Sequence, residues 1–522
     1  MMSVPMRLSV THELSVETVK FKFALPYFYS ERYSFFEFEI ITTLIIAMPS
    51  IYLPPELKNQ IVGELQAARD MCALKSLTLV AKEWSFLAKC QLFQRLVFEW
   101  TVEEHVNSNL VDFLQSTREI PNLIHELHLI GIPSPPTTID QQYNSQPRFP
   151  EIPDLNSYLL SKILSKLPNL TSLHIRTIYW RRVCESVLFS DPDTWKLPEI
   201  PPHRLSKLGK LDIRDIRWSN NSDEGAVAAE LFQLFPVIDI LSCDGSIPSY
   251  GYRSFKFDER TLEEEISKCC KMGLRIRQLI ITPWSKPAGS FTSWPEPLGS
   301  WFMSIFRHSQ AARFIEVLDI PYTASEHFRF LEDFLTLRPT KLMHISFNLL
   351  LRCHSTFIDT LESSTMCLKV CSSLKTLAFQ IGRCFDPEVA PFQMHTADPY
   401  EYPYNYLTLT RKVDAAFIIL SRTTSSNAIR NVNFSLYVTS DDILDLRHVG
   451  WTLLRDFINS SSHLKSVTFR CLKELKEVGV PHVDVPRTDV LADKQDISLL
   501  KSIVDEMIFD SNARKIIHVL GI

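Results

Sequence analysis

A short apolar pattern recurs ten times along the chain: an apolar residue, two residues of any kind, a second apolar residue, one of any kind, and a third. It reads Ile124-Leu127-Leu129, Leu170-Leu173-Ile175, Leu208-Leu211-Ile213, Phe235-Ile238-Ile240 and Ile276-Leu279-Ile281, then Ile315-Leu318-Ile320, Leu342-Ile345-Phe347, Leu374-Leu377-Phe379, Ile429-Val432-Phe434 and Leu464-Val467-Phe469. Such a run suits a short strand with one buried face. Helical periodicity fills the spacers at Asn156 to Leu167, Glu224 to Phe235, Arg260 to Met272, Glu326 to Leu337 and Leu409 to Ser421. One strand and one helix cannot bury their own apolar faces, so the units must stack and close a continuous core with their neighbours. Right-handed crossovers between successive strands put all strands parallel, with the helices on one side. The expected fold class is α/β, a curved horseshoe.

Side chains alternate between the faces of a strand, so with the triplet inward the residue between its last two members faces the concave side. Those positions hold His128, His174, Asp212, Asp239, Ile280, Asp319, Ser346, Ala378, Asn433 and Thr468. Concave surfaces of stacked-repeat proteins are their usual binding surfaces. His128, His174, Asp212, Asp239, Asp319, Asn433 and Thr468 are therefore candidate substrate-facing residues. Arg176, Arg214 and Arg470 trail three of the strands, near the same surface or at its rim.

Composition narrows the function classes. Of 522 residues, 55 are Lys or Arg and 60 Asp or Glu, and without a basic run no nucleic-acid footprint is expected. Thirteen glycines include no phosphate-cradling spacing, so loop-bound nucleotide is disfavoured. Eleven scattered cysteines, an odd number, indicate free thiols in a reducing intracellular compartment, cytoplasmic or nuclear. The apolar stretch Phe35 to Ala47 is shorter than the roughly 20 residues a bilayer needs and carries Glu37 and Glu39, so no membrane span is expected. No G-x-S-x-G, H-E-x-x-H or C-x-x-C motif occurs. Cys367 and Cys371, with Cys384 and the Cys353-His354 pair, lack the second close pair of a zinc site, so neither a metal nor a cofactor is expected. Three proline-containing interruptions stand out, at Pro133 to Pro153, Pro283 to Pro297 and Pro387 to Tyr406. The third carries Tyr400, Tyr402, Tyr404 and Tyr406, and reads as a partner-binding loop or a packed or disordered insertion.

The segment from Met48 to Trp100 has a different texture. Prolines at Pro54 and Pro55 suit a helix entry, and Leu57, Ile61 and Leu65 then fall on one face. Asp70 can cap a second helix carrying Leu74, Leu77, Val80, Ala81 and Trp84, and a third element carries Leu92, Phe93 and Leu96. Three short helices are near the lower size limit for folding alone, so their spare apolar faces need another surface. That surface belongs either to a partner or to the repeat array, with the segment as its cap.

The order Leu53-Pro54-Pro55-Glu56-Leu57, Ile61, Leu65, Leu74, Leu77, Val80, Trp84, Leu92 and Phe93 resembles the F-box motif, in the variant abundant in mushroom-forming fungi. Ala81 stands where many members have Cys. The triplet array resembles irregular leucine-rich repeats, at longer intervals than usual for that class. The two resemblances imply a short three-helix F-box-like unit, then a leucine-rich-repeat-like solenoid with parallel strands. They imply a substrate receptor that is not an enzyme: the F-box binds a Skp-type adaptor of a cullin-RING ubiquitin ligase, and the repeats select a protein substrate. Leu53, Pro54, Leu57, Ile61, Leu65, Val80 and Trp84 are the adaptor contacts carried over by resemblance. The alternative is a repeat scaffold whose F-box-like part is a structural cap. The expected divisions are a poorly defined extension over 1–47 with Met48 as a possible start, the F-box-like unit over 48–100, the solenoid over 101–475 and a helical tail over 476–522.

Overall fold

The computed structural model describes residues 55–67, 70–80, 82–101, 109–117, 119–132, 152–180, 205–218, 229–244, 273–282, 300–321, 325–349, 361, 368–382, 408–423, 428–473, 492–508 and 511–520. Two compact units divide after Arg95.

Among the described residues, the first unit contains three helices, Pro55–Ala67, Met71–Val80 and Lys82–Phe93. Asp70 caps the second as its residue type predicts: its Oδ1 accepts the Ala73 amide at 2.9 Å. One residue from the first helix, two from the second and two from the third, Val62, Leu74, Leu77, Trp84 and Ala88, form the shared interior. Trp84 corrects the sequence reading. The second helix spans Met71–Val80, and Trp84 lies in the first turn of the third helix. A unit this small has one interior, and its largest apolar side chain occupies it. Leu96, expected on the third helix, lies instead on a strand whose burial alternates residue by residue.

The second unit is built on a 13-stranded sheet. Its strands are β1 (Arg95–Thr101), β2 (Glu126–Ile132), β3 (Asp154–Leu155), β4 (Ser172–Trp180), β5 (Leu208–Trp218), β6 (Val237–Asp244), β7 (Arg275–Thr282), β8 (Val317–Pro321), β9 (His344–Leu349), β10 (Thr376–Gly382), β11 (Asn431–Val438), β12 (Ser466–Lys473) and β13 (Ile517–Leu520). Spatial order follows chain order, with β3 placed on the far end of β4, and every ladder from β2 to β13 is parallel. Among the described residues, triplet residues share one core with Leu160 and Ile163 of the helix Ser157–Leu164, Phe334 of Ser325–Thr336, Phe417 of Leu409–Ser421 and Leu454 of Trp451–Ser460, as right-handed crossovers from an unreversed strand order require.

Expected helices at Asn156 to Leu167, Glu326 to Leu337 and Leu409 to Ser421 are present within a few residues of their predicted ends. Asn156 caps the first, its Oδ1 accepting the Leu159 amide at 2.8 Å. The stretch from Arg260 to Met272 and most of the three proline-containing interruptions lie outside the described residues. The segment expected as a helical tail does carry the helix Lys494–Met507, but it ends in β13, which pairs with β12. It is the last turn of the array. Among the described residues, no helix is long and apolar enough to cross a membrane.

Register turns the repeats into continuous rows. Phe347, Phe379, Phe434 and Phe469 occupy one row on β9 to β12, their rings stacked at 5.3, 5.2 and 4.7 Å between centroids. At the other end of the sheet β4 changes partner, from β2 before Thr177 to β3 after it. Thr177 has a left-handed φ of 54°, and its carbonyl oxygen would lie 1.9 Å from a Cβ on Gly131, so only glycine lets β2 pass there. Phe434, stacked on both sides, met edge-on by Phe417 and fully buried, should be the costliest member of the aromatic row. Phe434→Ala is expected to cost about 3–5 kcal/mol in denaturant unfolding.

Candidate functional site

The residues between the second and third triplet members form a row across the face turned away from the core. Reading from β2 it runs His128, His174, Asp212, Ser242, Ile280, Asp319, Ser346, Ala378, Asn433, Thr468 and His518. Six of the seven candidate substrate-facing residues therefore stand in it. Asp239 does not, because β6 contains two overlapping matches to the triplet. The neighbouring strands select Ile238-Leu241-Cys243 over Phe235-Ile238-Ile240, pairing Leu211 with Leu241 and Leu241 with Leu279. Cys243, only 2% exposed, serves as the third apolar member, and Ser242 takes the row position. Asp239 pairs instead with Lys207 at 2.8 Å and lies 3.9 Å from Arg277.

The first three strands of the row bring charge and imidazole together. Residues two apart on one strand share a face, so β2 contributes Glu126 and His128, β4 Ser172, His174 and Arg176, and β5 Lys210, Asp212 and Arg214. The His128 and His174 rings stack at 4.0 Å and are 9° from parallel. Glu126 Oε1 lies 2.6 Å from His128 Nε2 and 3.2 Å from His174 Nε2. On its other side His174 Nδ1 is 2.9 Å from Asp212 Oδ2, while Arg214 Nε donates to Asp212 Oδ1 at 3.0 Å and Arg176 to Oδ2 at 3.3 Å.

Asp212 is completely buried, and this decides its chemistry. Burial alone would raise its pKa, but the hydrogen bond from His174 and the charge and hydrogen bond of Arg214 outweigh it and hold the carboxyl well below the usual range. An ionised carboxylate can only accept, so His174 carries a proton on Nδ1 and turns Nε2 towards Glu126. Asp319, three strands away between Ile280 and Ser346, behaves oppositely: burial outweighs a hydrogen bond from Ser346 and its pKa is pushed up to about 6. Asn433 and Thr468 are neighbours near the C-terminal edge, well removed from His128 and His174.

In the helical unit, Leu57 and Ile61 are exposed, at 46% and 36%, while Leu65 packs against the small core that contains Trp84. Val80 lies at the end of its helix; its side chain, like Leu53 and Pro54, is outside the described residues. Met71, Leu79 and Phe86 are exposed as well, at 46%, 82% and 62%. Five described cysteines are free thiols, of which Cys243, Cys371 and Cys471 are buried. Cys371 belongs to the apolar core, and the other members of the weighed Cys/His cluster lie outside the described residues.

No protein-family model matches the chain, and no curated protein matches it.

Two pH-dependent outcomes follow from the carboxylates. Because the folded-state pKa of Asp212 is depressed, its stabilisation is present above the ordinary value of about 3.9 and is lost as pH falls through the folded one. Asp212→Asn should cost about 3 kcal/mol at pH 7, since two guanidinium groups lose their partner, with the difference shrinking below about pH 4. Asp319 has a raised folded-state pKa, so its ionisation costs stability as pH rises from about 4 to 6. Asp319→Asn should therefore stabilise the protein at pH 8 and change little at pH 4; denaturant unfolding at each pH checks both.

Proposed function

We propose that this chain is a non-catalytic substrate-recognition subunit of a cullin-RING ubiquitin ligase. The helical unit docks on a Skp-type adaptor, and the polar face of an irregular leucine-rich-repeat-like horseshoe selects a protein substrate, in the cytoplasm or nucleus. The ubiquitin chemistry belongs to the partners.

One observation carries the reading. The helices over 55–93 expose Leu57, Ile61, Met71, Leu79 and Phe86, as many apolar side chains as the five in their own interior. Each such side chain is worth about 1.5–3 kcal/mol when fully buried, enough together to offset the costs of association for a specific partner. Leu57 and Ile61 are one helical turn apart on the first helix, and both belong to the F-box-like pattern. Trp84 belongs to that pattern too, but its place in the interior gives it a supporting role, holding the third helix against the first two.

This distinction selects the experiment. Co-expression with a Skp-type adaptor and affinity purification of the full chain is expected to recover adaptor in near-stoichiometric amount. The double variant L57D/I61D should lose at least tenfold of that recovery while the chain's far-ultraviolet circular dichroism stays unchanged. Adaptor retained by the double variant, or absent from the wild-type preparation, would leave the scaffold reading, with the helical unit as a cap.

A further inference from the structure

We infer that Glu126, His128 and His174 form a binding site for a borderline divalent cation of the zinc class, built at the β2–β4 edge of the polar row. The inference is independent of the proposed ligase role.

The three donors reach one point for reasons of backbone geometry. Glu126 and His128 are two apart on β2 and share a face; His174 is the register partner of His128 on β4. Their ligand atoms lie within 4.8 Å of one another. Zinc bonds of about 2.0–2.1 Å place tetrahedral donors about 3.4 Å apart, so the set closes by shifts of about 1 Å together with rotation of the stacked imidazoles out of parallel. Both histidines are at least 95% buried, whereas the Glu126 side chain is 34% exposed, which leaves a path for the ion and an open side for a fourth ligand.

The surroundings favour a cation over a plain hydrogen-bonded cluster. Asp212 Oδ2 lies 2.9 Å from His174 Nδ1, and Arg214 and Arg176 fix Asp212 in turn. A carboxylate holding one imidazole nitrogen so that the other faces a metal is the arrangement that orients histidine ligands. His174 Nε2 is turned towards a Glu126 oxygen at 3.2 Å, with the Ser172 hydroxyl beside it at 3.1 Å. A divalent ion would join both imidazoles and the carboxylate, displacing the Ser172 hydroxyl from His174 Nε2. Two imidazoles and one carboxylate suit zinc and cobalt(II) better than the oxygen-seeking magnesium or calcium.

The test is titration of the chelator-treated full chain with cobalt(II), followed by zinc competition. The expected result is one ion per chain, with the visible d–d absorption of a low-coordinate cobalt site and no thiolate charge-transfer band. Glu126→Gln and His128→Gln should each weaken binding at least tenfold. Glu126→Gln changes a partly exposed side chain by one atom, so it also reports if His128→Gln fails to fold. Zinc should raise the unfolding midpoint of the wild-type protein and not that of Glu126→Gln. Absence of a d–d band with metal in large excess, a band carrying thiolate charge transfer, or affinity unchanged in Glu126→Gln would each overturn the site and leave a hydrogen-bonded cluster.

Discussion

The in-register parallel ladder is the constraint on which the second unit depends. Backbone hydrogen bonds hold each strand about 4.8 Å from the next and fix which residues stand side by side. A weak preference in one repeat then becomes a continuous row: Leu173, Leu211, Leu241, Leu279 and Leu318 inside, the four stacked phenylalanines beside them, and the polar row on the opposite face. A slip of one residue would turn an apolar row outward, which is why β6 accepts Cys243 in the core rather than adopt the more apolar match beginning at Phe235.

The same ladder explains what could be read before any coordinates. Apolar spacing located all the triplet strands and the face to which His128, His174, Asp212, Asp319, Asn433 and Thr468 belong, because alternation within a strand is a local property. It failed at Asp239, where two overlapping matches differ by three residues and only the neighbours choose between them. Arg176 and Arg214 were visible as trailing charges, but their convergence on Asp212 depends on register across strands far apart in sequence. Glu126 gave no signal at all. It precedes the apolar pair of its strand, and its meaning arises only when His174 arrives beside His128. β13, four residues at a half-exposed edge, is too short to carry the pattern.

In the helical unit, spacing located the helices and the Asp70 cap but could not sort interior from surface. Leu57 and Trp84 look alike as apolar residues at helical offsets. Their separation into an exposed and an interior side chain depends on how the three helices pack, with Trp84 on the third rather than the second. That sorting gives the proposed receptor its physical logic: an apolar surface on small helices for a partner, and a charged, hydrogen-bonded face on a rigid sheet for selective recognition.

The central claim is this division of labour, and hydrogen–deuterium exchange of the full chain with and without saturating Skp-type adaptor tests it most directly. Binding partners slow the local openings through which amides exchange. The account predicts slowed exchange across the helices Pro55–Ala67, Met71–Val80 and Lys82–Phe93, with exchange in β2, β4 and β5 unchanged. Protection confined to those strands, or none in the helices, would contradict it.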